Sequence, residues 1–260
     1  MSPFHRSLRA AAAAALAAAP LTGSAALPAL AAAAPLLHAP NQGSVSTPYF
    51  ISHGHGHAAG ATSTSTNWSG YAANGGTYSS VSTTFTQPAV DCSKGNGYSS
   101  FWVGLDGYSS NTVEQTGTEA DCSGGVAVYS SWYEMYPKFP VNYSNPLRPG
   151  DSITESVSFS GGSFTLTLTN STEGWSQTVT KKLTSAKRSS AEVIAEAPYS
   201  GGVLPLADFG KVSFSNSLVN GSTLSGFNPT GIDMVSSSGA PEATVSSLTG
   251  GSFSITWNSL

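Results

Sequence analysis

Histidine is missing from most of this sequence. The 260 residues contain five, His5, His38, His53, His55 and His57, and none follows. A domain folded after that point cannot carry a Ser-His-Asp or Cys-His nucleophile pair, or a zinc site built on imidazole. Cysteine is almost as scarce: Cys92 and Cys122 are too few for a structural zinc site, so no metal is expected. Charge is thin as well. Ten Lys or Arg and 14 Asp or Glu make up 9% of the chain, against roughly a quarter in ordinary soluble domains. A net charge of −4 excludes the clustered Lys and Arg that phosphate neutralisation needs, and with it a nucleic-acid partner. Chemistry must come from carboxyls, amides, hydroxyls or lysines.

The chain opens on Arg6 and Arg9, an alanine-rich apolar run and Ala-x-Ala sites such as Ala29-Leu30-Ala31. That pattern marks residues 1–31 as a secretory signal peptide. Pro20 and Pro28 break the run before it could span a bilayer, so a secreted, extracellular protein with no membrane contact after cleavage is expected. Residues 32–65 are low in complexity and lack periodicity, which suits a short prosegment or linker. Alternate histidines between glycines at 53, 55 and 57 fit a solvated segment better than a metal tail. No Asp or Glu precedes Asp91; losing Arg6 and Arg9 leaves eight basic residues against 14 acidic, a balance of −6. In an oxidising compartment Cys92 and Cys122 are expected to pair.

Residues 66–260 suit one all-β domain. Gly 28 and Pro 15 supply turns, and no helical stripe follows Ser65. Ile153, Glu155, Val157 and Phe159 alternate before Gly161-Gly162, then Phe164, Leu166 and Leu168, which predicts a hairpin. Further strands are read at Val81–Phe85, Ser131–Tyr136, Ala191–Glu196, Lys211–Phe214 and Ser252–Trp257. The expectation is a single antiparallel β-sandwich of jelly-roll or concanavalin type, two packed sheets with Greek-key-like connections. Period two places Trp102, Gly104 and Asp106 on one face, Trp132, Glu134 and Tyr136 on another, and Glu192, Ile194 and Glu196 on a third. Aromatics mixed with carboxyls on a concave sheet suit an extended polymer, peptide or sugar.

Several motifs then occur in one order: Asn67-Trp68-Ser69-Gly70, Trp102-Val103-Gly104-Leu105-Asp106-Gly107, Gln115-Thr116-Gly117, Trp132-Tyr133-Glu134-Met135-Tyr136-Pro137, Pro149-Gly150-Asp151-Ser152-Ile153, Ala191-Glu192-Val193-Ile194-Ala195-Glu196 and Ala207-Asp208-Phe209. Together they resemble the glutamic peptidases (eqolisins), over nearly all of the mature domain. That resemblance implies an acid endopeptidase, without cofactor and monomeric, acting on polypeptides through a Gln/Glu dyad on a β-sandwich with an open groove. It places the catalytic glutamine at Gln115 and the catalytic glutamate at Glu196, not Glu192. Substrate contacts fall on Trp102, Asp106 and Glu134, with Trp132 and Tyr136 beside them on the aromatic face. Leu105 and Val193 depart conservatively from the family pattern, and the prosegment is unusually short.

In this scheme Glu196 takes a proton from the attacking water and returns it to the leaving nitrogen, while Gln115 holds the water and steadies the oxyanion. An ordinary glutamate, pKa near 4.3, is half ionised only in acid, and a neutral Gln does not raise that value, so an acid optimum is expected. Blander readings stand beside it. Gln115 could satisfy a turn, and Glu196 could be an edge-strand charge. Glu192 with Glu196 could imitate the carboxyl pair of a carbohydrate-active jelly-roll enzyme, although Ile194 stands where such strands carry Asp. A lectin-like module stacking sugars on Trp102, Trp132 and Tyr136 is a third possibility. No Asp-Thr-Gly or Asp-Ser-Gly occurs, which disfavours an aspartic peptidase.

Overall fold

The computed structural model describes residues 62–259; the segment read as a signal peptide and most of that read as a prosegment, with the histidines, lie outside that range. Alternating sequences and glycine turns yield sixteen strands. They are β1 (Thr62–Ser65), β2 (Trp68–Asn74), β3 (Ser80–Thr86), β4 (Ser100–Leu105), β5 (Val113–Ser123), β6 (Val126–Tyr136), β7 (Val141–Asn142) and β8 (Ser152–Ser160). They continue with β9 (Ser163–Asn170), β10 (Trp175–Lys181), β11 (Ser190–Glu196), β12 (Lys211–Val219), β13 (Ser222–Thr223), β14 (Thr230–Val235), β15 (Pro241–Val245) and β16 (Phe253–Trp257). Helix is confined to two short 3-10 turns among the described residues, at Cys92–Lys94 and Leu224–Phe227.

Hydrogen bonding runs β10-β9-β8-β3-β12-β16-β15-β14-β2-β11-β4-β5-β6-β7. The sandwich is therefore one continuous sheet folded on itself, where two separate sheets were expected. Strands β16, β15 and β14 carry the ladder from one layer to the other. The β8–β9 hairpin turns at Gly161 and Gly162, both at positive φ of 56° and 77°, which residues with a Cβ rarely adopt. A second departure concerns the start of the domain. Thr62–Ser65, placed in the prosegment from sequence, forms β1 and pairs parallel with β14. A Thr-Ser repeat carries no hydrophobic alternation, so this backbone pairing left no trace in the pattern.

The two layers meet over apolar side chains. Phe101, Val103 and Leu105 of β4 and Val193 and Ala195 of β11 share a core with Phe85, Ile153, Val157, Leu166, Leu168 and Phe214. The Phe85–Phe101 ring contact (centroids 6.2 Å) bridges the layers, while Phe85–Phe214 (5.3 Å) is a cross-strand pair within one of them. The outer surface of β8, β9 and β10 carries hydroxyls in place of charges. Thr167 pairs with Thr178 at 3.1 Å, Thr169 with Ser176 at 2.8 Å, and Thr84 of β3 with Thr154 at 3.1 Å. These cross-strand hydroxyl pairs account for a water-facing sheet in a chain so poor in Lys and Glu. Cys92 and Cys122 are bonded across 30 residues, fixing the Cys92–Lys94 turn to the end of β5. Removing that link as Cys92→Ser/Cys122→Ser should lower unfolding free energy by about 3.5 kcal/mol on loop entropy, read from urea midpoints under oxidising conditions. An unchanged midpoint would show that the link does not constrain the unfolded chain.

Candidate active site

The second face of the β2-β11-β4-β5-β6 layer carries its own cluster of Trp68, Ala72, Trp102, Val113, Trp132, Tyr136, Ile194 and Ile232. Register explains the grouping. Trp68 stands opposite Glu196, Ile194 opposite Trp102, and Gly117 between Trp102 and Trp132. A glycine is required there. A Cβ on Gly117 would lie 2.6 Å from both the Phe101 carbonyl oxygen and Trp102 Cβ. Its absence lets two indoles close over the sheet from either side. Trp68 and Trp102 meet edge to face at 4.9 Å.

Glu196 ends β11, an inner strand bonded to β2 and β4, so the reading of it as an edge charge is excluded. The Trp102 indole N–H donates to Glu196 Oε2 at 2.9 Å, and the Asn67 amide donates to Oε1 at 3.2 Å. Asn67 is itself held by Ser65, whose hydroxyl donates to its Oδ1 at 3.1 Å. Glu196 is not the ordinary glutamate expected from sequence. Burial pushes its pKa up to about 8; the nearby Trp68 indole and the Trp102 and Asn67 hydrogen bonds oppose that rise, and the Glu134 charge adds to it. Desolvation of the carboxylate outweighs its donors.

Gln115 lies on β5, directly opposite Glu134 on β6. Its Nε2 donates to Glu134 Oε2 at 2.5 Å, while its buried Oε1 has no partner. Glu134 thus stands between the two family positions, bonded to Gln115 and bearing electrostatically on Glu196. The register also sets Gln115 level with Glu192, across Gly104. Glu192, however, is fully buried and its surroundings are Ser190, Asp106, Tyr108 and Glu114, groups at the other end of the strand. Glu196 keeps 6% exposure. The pairing of Glu192 with Glu196 that a carbohydrate enzyme would need is absent from this arrangement.

At Asp106 the period-two face reading overruns. Its φ of 70° turns the chain, and the fully buried carboxyl accepts from the backbone N–H groups of Lys187 (2.8 Å), Arg188 (2.6 Å) and Ser189 (2.8 Å). Ser110 and Ser189 hydroxyls add bonds at 2.9 and 3.0 Å. Asp106 clasps the approach to β11 and offers nothing to the aromatic face. Asn67 and Trp68 are the reverse case. In the sequence they are only part of a motif, yet they form the wall of the Glu196 pocket. Trp132 and Tyr136 lie on the aromatic face as the alternation predicts.

Known proteins bear on this arrangement. The model of the peptidase A4 family matches residues 66–257. The chain belongs to the peptidase A4 family. Aspergillopepsin-2 of Aspergillus niger is 31% identical, over 74% of this chain and 77% of that protein. Among solved structures, scytalido-glutamic peptidase with a transition state analog inhibitor matches at TM-score 0.66 and 26% identity, covering 74% of this chain and 98% of that one. The eqolisin SCP-B, in complex with the tripeptide Ala-Ile-His, matches at TM-score 0.62 and 25% identity over the same shares. This chain is accordingly a glutamic peptidase, a peptide-bond hydrolase on an eqolisin sandwich; the carbohydrate and lectin readings fall away.

The glycine slot is directly testable. Gly117→Ala should lower unfolding stability by about 1–3 kcal/mol through overpacking. Gly226→Ala, where a Cβ would meet nothing within 4 Å, should stay within about 0.5 kcal/mol of the parent. Equal effects in urea titrations would contradict a steric need for glycine at 117.

Proposed function

We propose that the protein is a secreted acid endopeptidase in which Glu196 moves the protons and Gln115 positions the water and steadies the tetrahedral intermediate. The observation that carries this reading is the pocket of Glu196, a buried carboxyl held by two side-chain donors and linked through Glu134 to an amide whose oxygen is unclaimed. Below about pH 8 Glu196 holds its proton, which reverses the order of steps expected from an ordinary glutamate. It gives that proton to the scissile carbonyl oxygen as water attacks, and it receives one from the water. The neutral tetrahedral species then collapses as Glu196 protonates the leaving nitrogen and regains a proton from the intermediate's hydroxyl. The C–N bond breaks, acid and amine leave, and Glu196 ends as it began. Gln115 Oε1 accepts from the attacking water, and the amide hydrogen not committed to Glu134 donates to the developing oxygen charge.

Working below the pKa of the acid gives the acid range a different cause from the one an ordinary glutamate would supply. Secretion follows from the N-terminal pattern; among the described residues no helix is long and apolar enough to cross a membrane. Trp102, Trp132, Tyr136 and Glu134 are proposed to line the path of an extended polypeptide, a monomer sufficing. Asp106 is assigned a supporting place, through its clasp on residues 187–189.

Two measurements test the reading. Glu196→Gln should reduce kcat/KM on a denatured protein by about 1,000-fold or more with the fold intact by circular dichroism, and Gln115→Ala should do the same, whereas Glu192→Gln should retain activity at acid pH. Loss in Glu192→Gln with retention in Glu196→Gln would move the carboxyl role to the other residue. Corrected for the fraction folded, kcat/KM of the parent should hold across the acid range and fall about tenfold per unit above the pKa of Glu196, as an essential protonated acid requires. A profile that climbs to a maximum above pH 8 would contradict proton donation by Glu196.

A further inference from the structure

Glu155 takes no part in the chemistry above. It occupies an inward position of β8 between Ile153 and Val157, opposite Thr83 of β3 and Leu168 of β9, and it is fully buried. Neither of its carboxyl oxygens has a hydrogen-bond partner. From the facing layer it meets the backbone at Val103 of β4, and the titratable group facing it is Tyr143, beyond which lies Tyr133. The Tyr143 hydroxyl is also buried and unpartnered, as is Thr118 Oγ1 on the inward face of β5. No Lys or Arg contributes to the setting of Glu155. With no cation, and only the Val103 backbone to oppose burial, a carboxylate is too costly to keep in such a place, so the group stays neutral. Burial raises its pKa well above the usual range and raises that of Tyr143 to about 12.

We infer that Glu155 is a proton latch. While neutral it fills the space between the layers behind β4 and β5, the strands that carry Trp102 and Gln115; when it ionises, an uncompensated charge appears there and loosens the catalytic layer. The sign follows from linkage. A carboxyl held neutral by the fold contributes its full stability below the unfolded value, near 4.3, and loses it as pH rises toward the folded value. Each such proton costs the folding equilibrium about tenfold per pH unit in that window. Glu114, Asp121, Glu192 and Glu196 are raised in the same direction, burial being the leading cause in each, so the whole domain should weaken as pH rises.

Glu155→Gln keeps the shape and removes the titration. Unfolding constants from urea titrations of the secreted protein should be compared at pH 5, 6, 7 and 8, with Glu155→Met as the second variant. Both variants should fall about one decade per pH unit less steeply than the parent, so that between pH 5 and pH 7 they lose up to about 100-fold less in folding equilibrium than the parent does. Slopes parallel to the parent in both variants would overturn the latch. Failure of both to fold at pH 4 would overturn it as well, since the latch requires only a neutral side chain of that size. The readout is unfolding and not turnover, so its failure and that of the peptidase mechanism are distinguishable.

Discussion

A carboxyl removed from water and given only partial compensation is the constraint on which this structure turns. Glu196 has two side-chain donors, a tryptophan indole and an asparagine amide, yet burial still holds its pKa near 8. The fold supplies the removal from water. β11 sits between β2 and β4, so the last residue of the Ala-Glu-x-Ile-x-Glu run is flanked on both sides by backbone and roofed by Trp68 and Trp102. Gly117 leaves the space beside Trp102 that a Cβ would fill. Geometry and protonation follow from that placement, and the chemistry proposed for the site rests on them.

The same economy of charge runs through the molecule. The water-facing layer uses threonine and serine pairs, and the described basic residues are few. Arg148 pairs with Glu173, Lys181 sits over the Tyr133 ring at 5.4 Å, and Arg188 over Phe159 at 4.2 Å. A domain with eight basic residues gains little positive charge when its carboxyls are protonated, so acid brings limited self-repulsion. Buried neutral carboxyls push in the same direction, since the stability they contribute is greatest in acid and is lost as pH rises. Composition and interior both point to a molecule suited to low pH.

Much of this was legible in the sequence. Alternation located β8 and β9 because each buries one face, and β11 and β6 because apolar residues alternate there with carboxyls and aromatics, although β11 is buried on both faces. The Gly161-Gly162 hairpin announced itself by turn chemistry, and the two cysteines by compartment. Other parts left no local signal. A left-handed residue at Asp106 ends an alternation that looks unbroken, because aspartate tolerates that conformation without a glycine to mark it. β1 is a polar strand held by backbone pairing and the Ser65 hydroxyl, with no apolar side chain to mark it. The continuity of the two layers depends on strands distant in sequence, which no window of residues displays. Alternation puts Glu155 on the correct face, but nothing local distinguishes a charged residue at the rim from one sealed in the core.

The protonation state of Glu196 in the free enzyme is the most direct test. Infrared difference spectra between the parent and Glu196→Gln, with carboxyl stretches followed from pH 3 to pH 9, isolate that one group. The account predicts a protonated-carboxyl band assignable to Glu196 that persists through neutral pH and fades near pH 8. A band lost near pH 4 would mean an ordinary glutamate, and proton donation by Glu196 to the scissile carbonyl would be wrong as the first step.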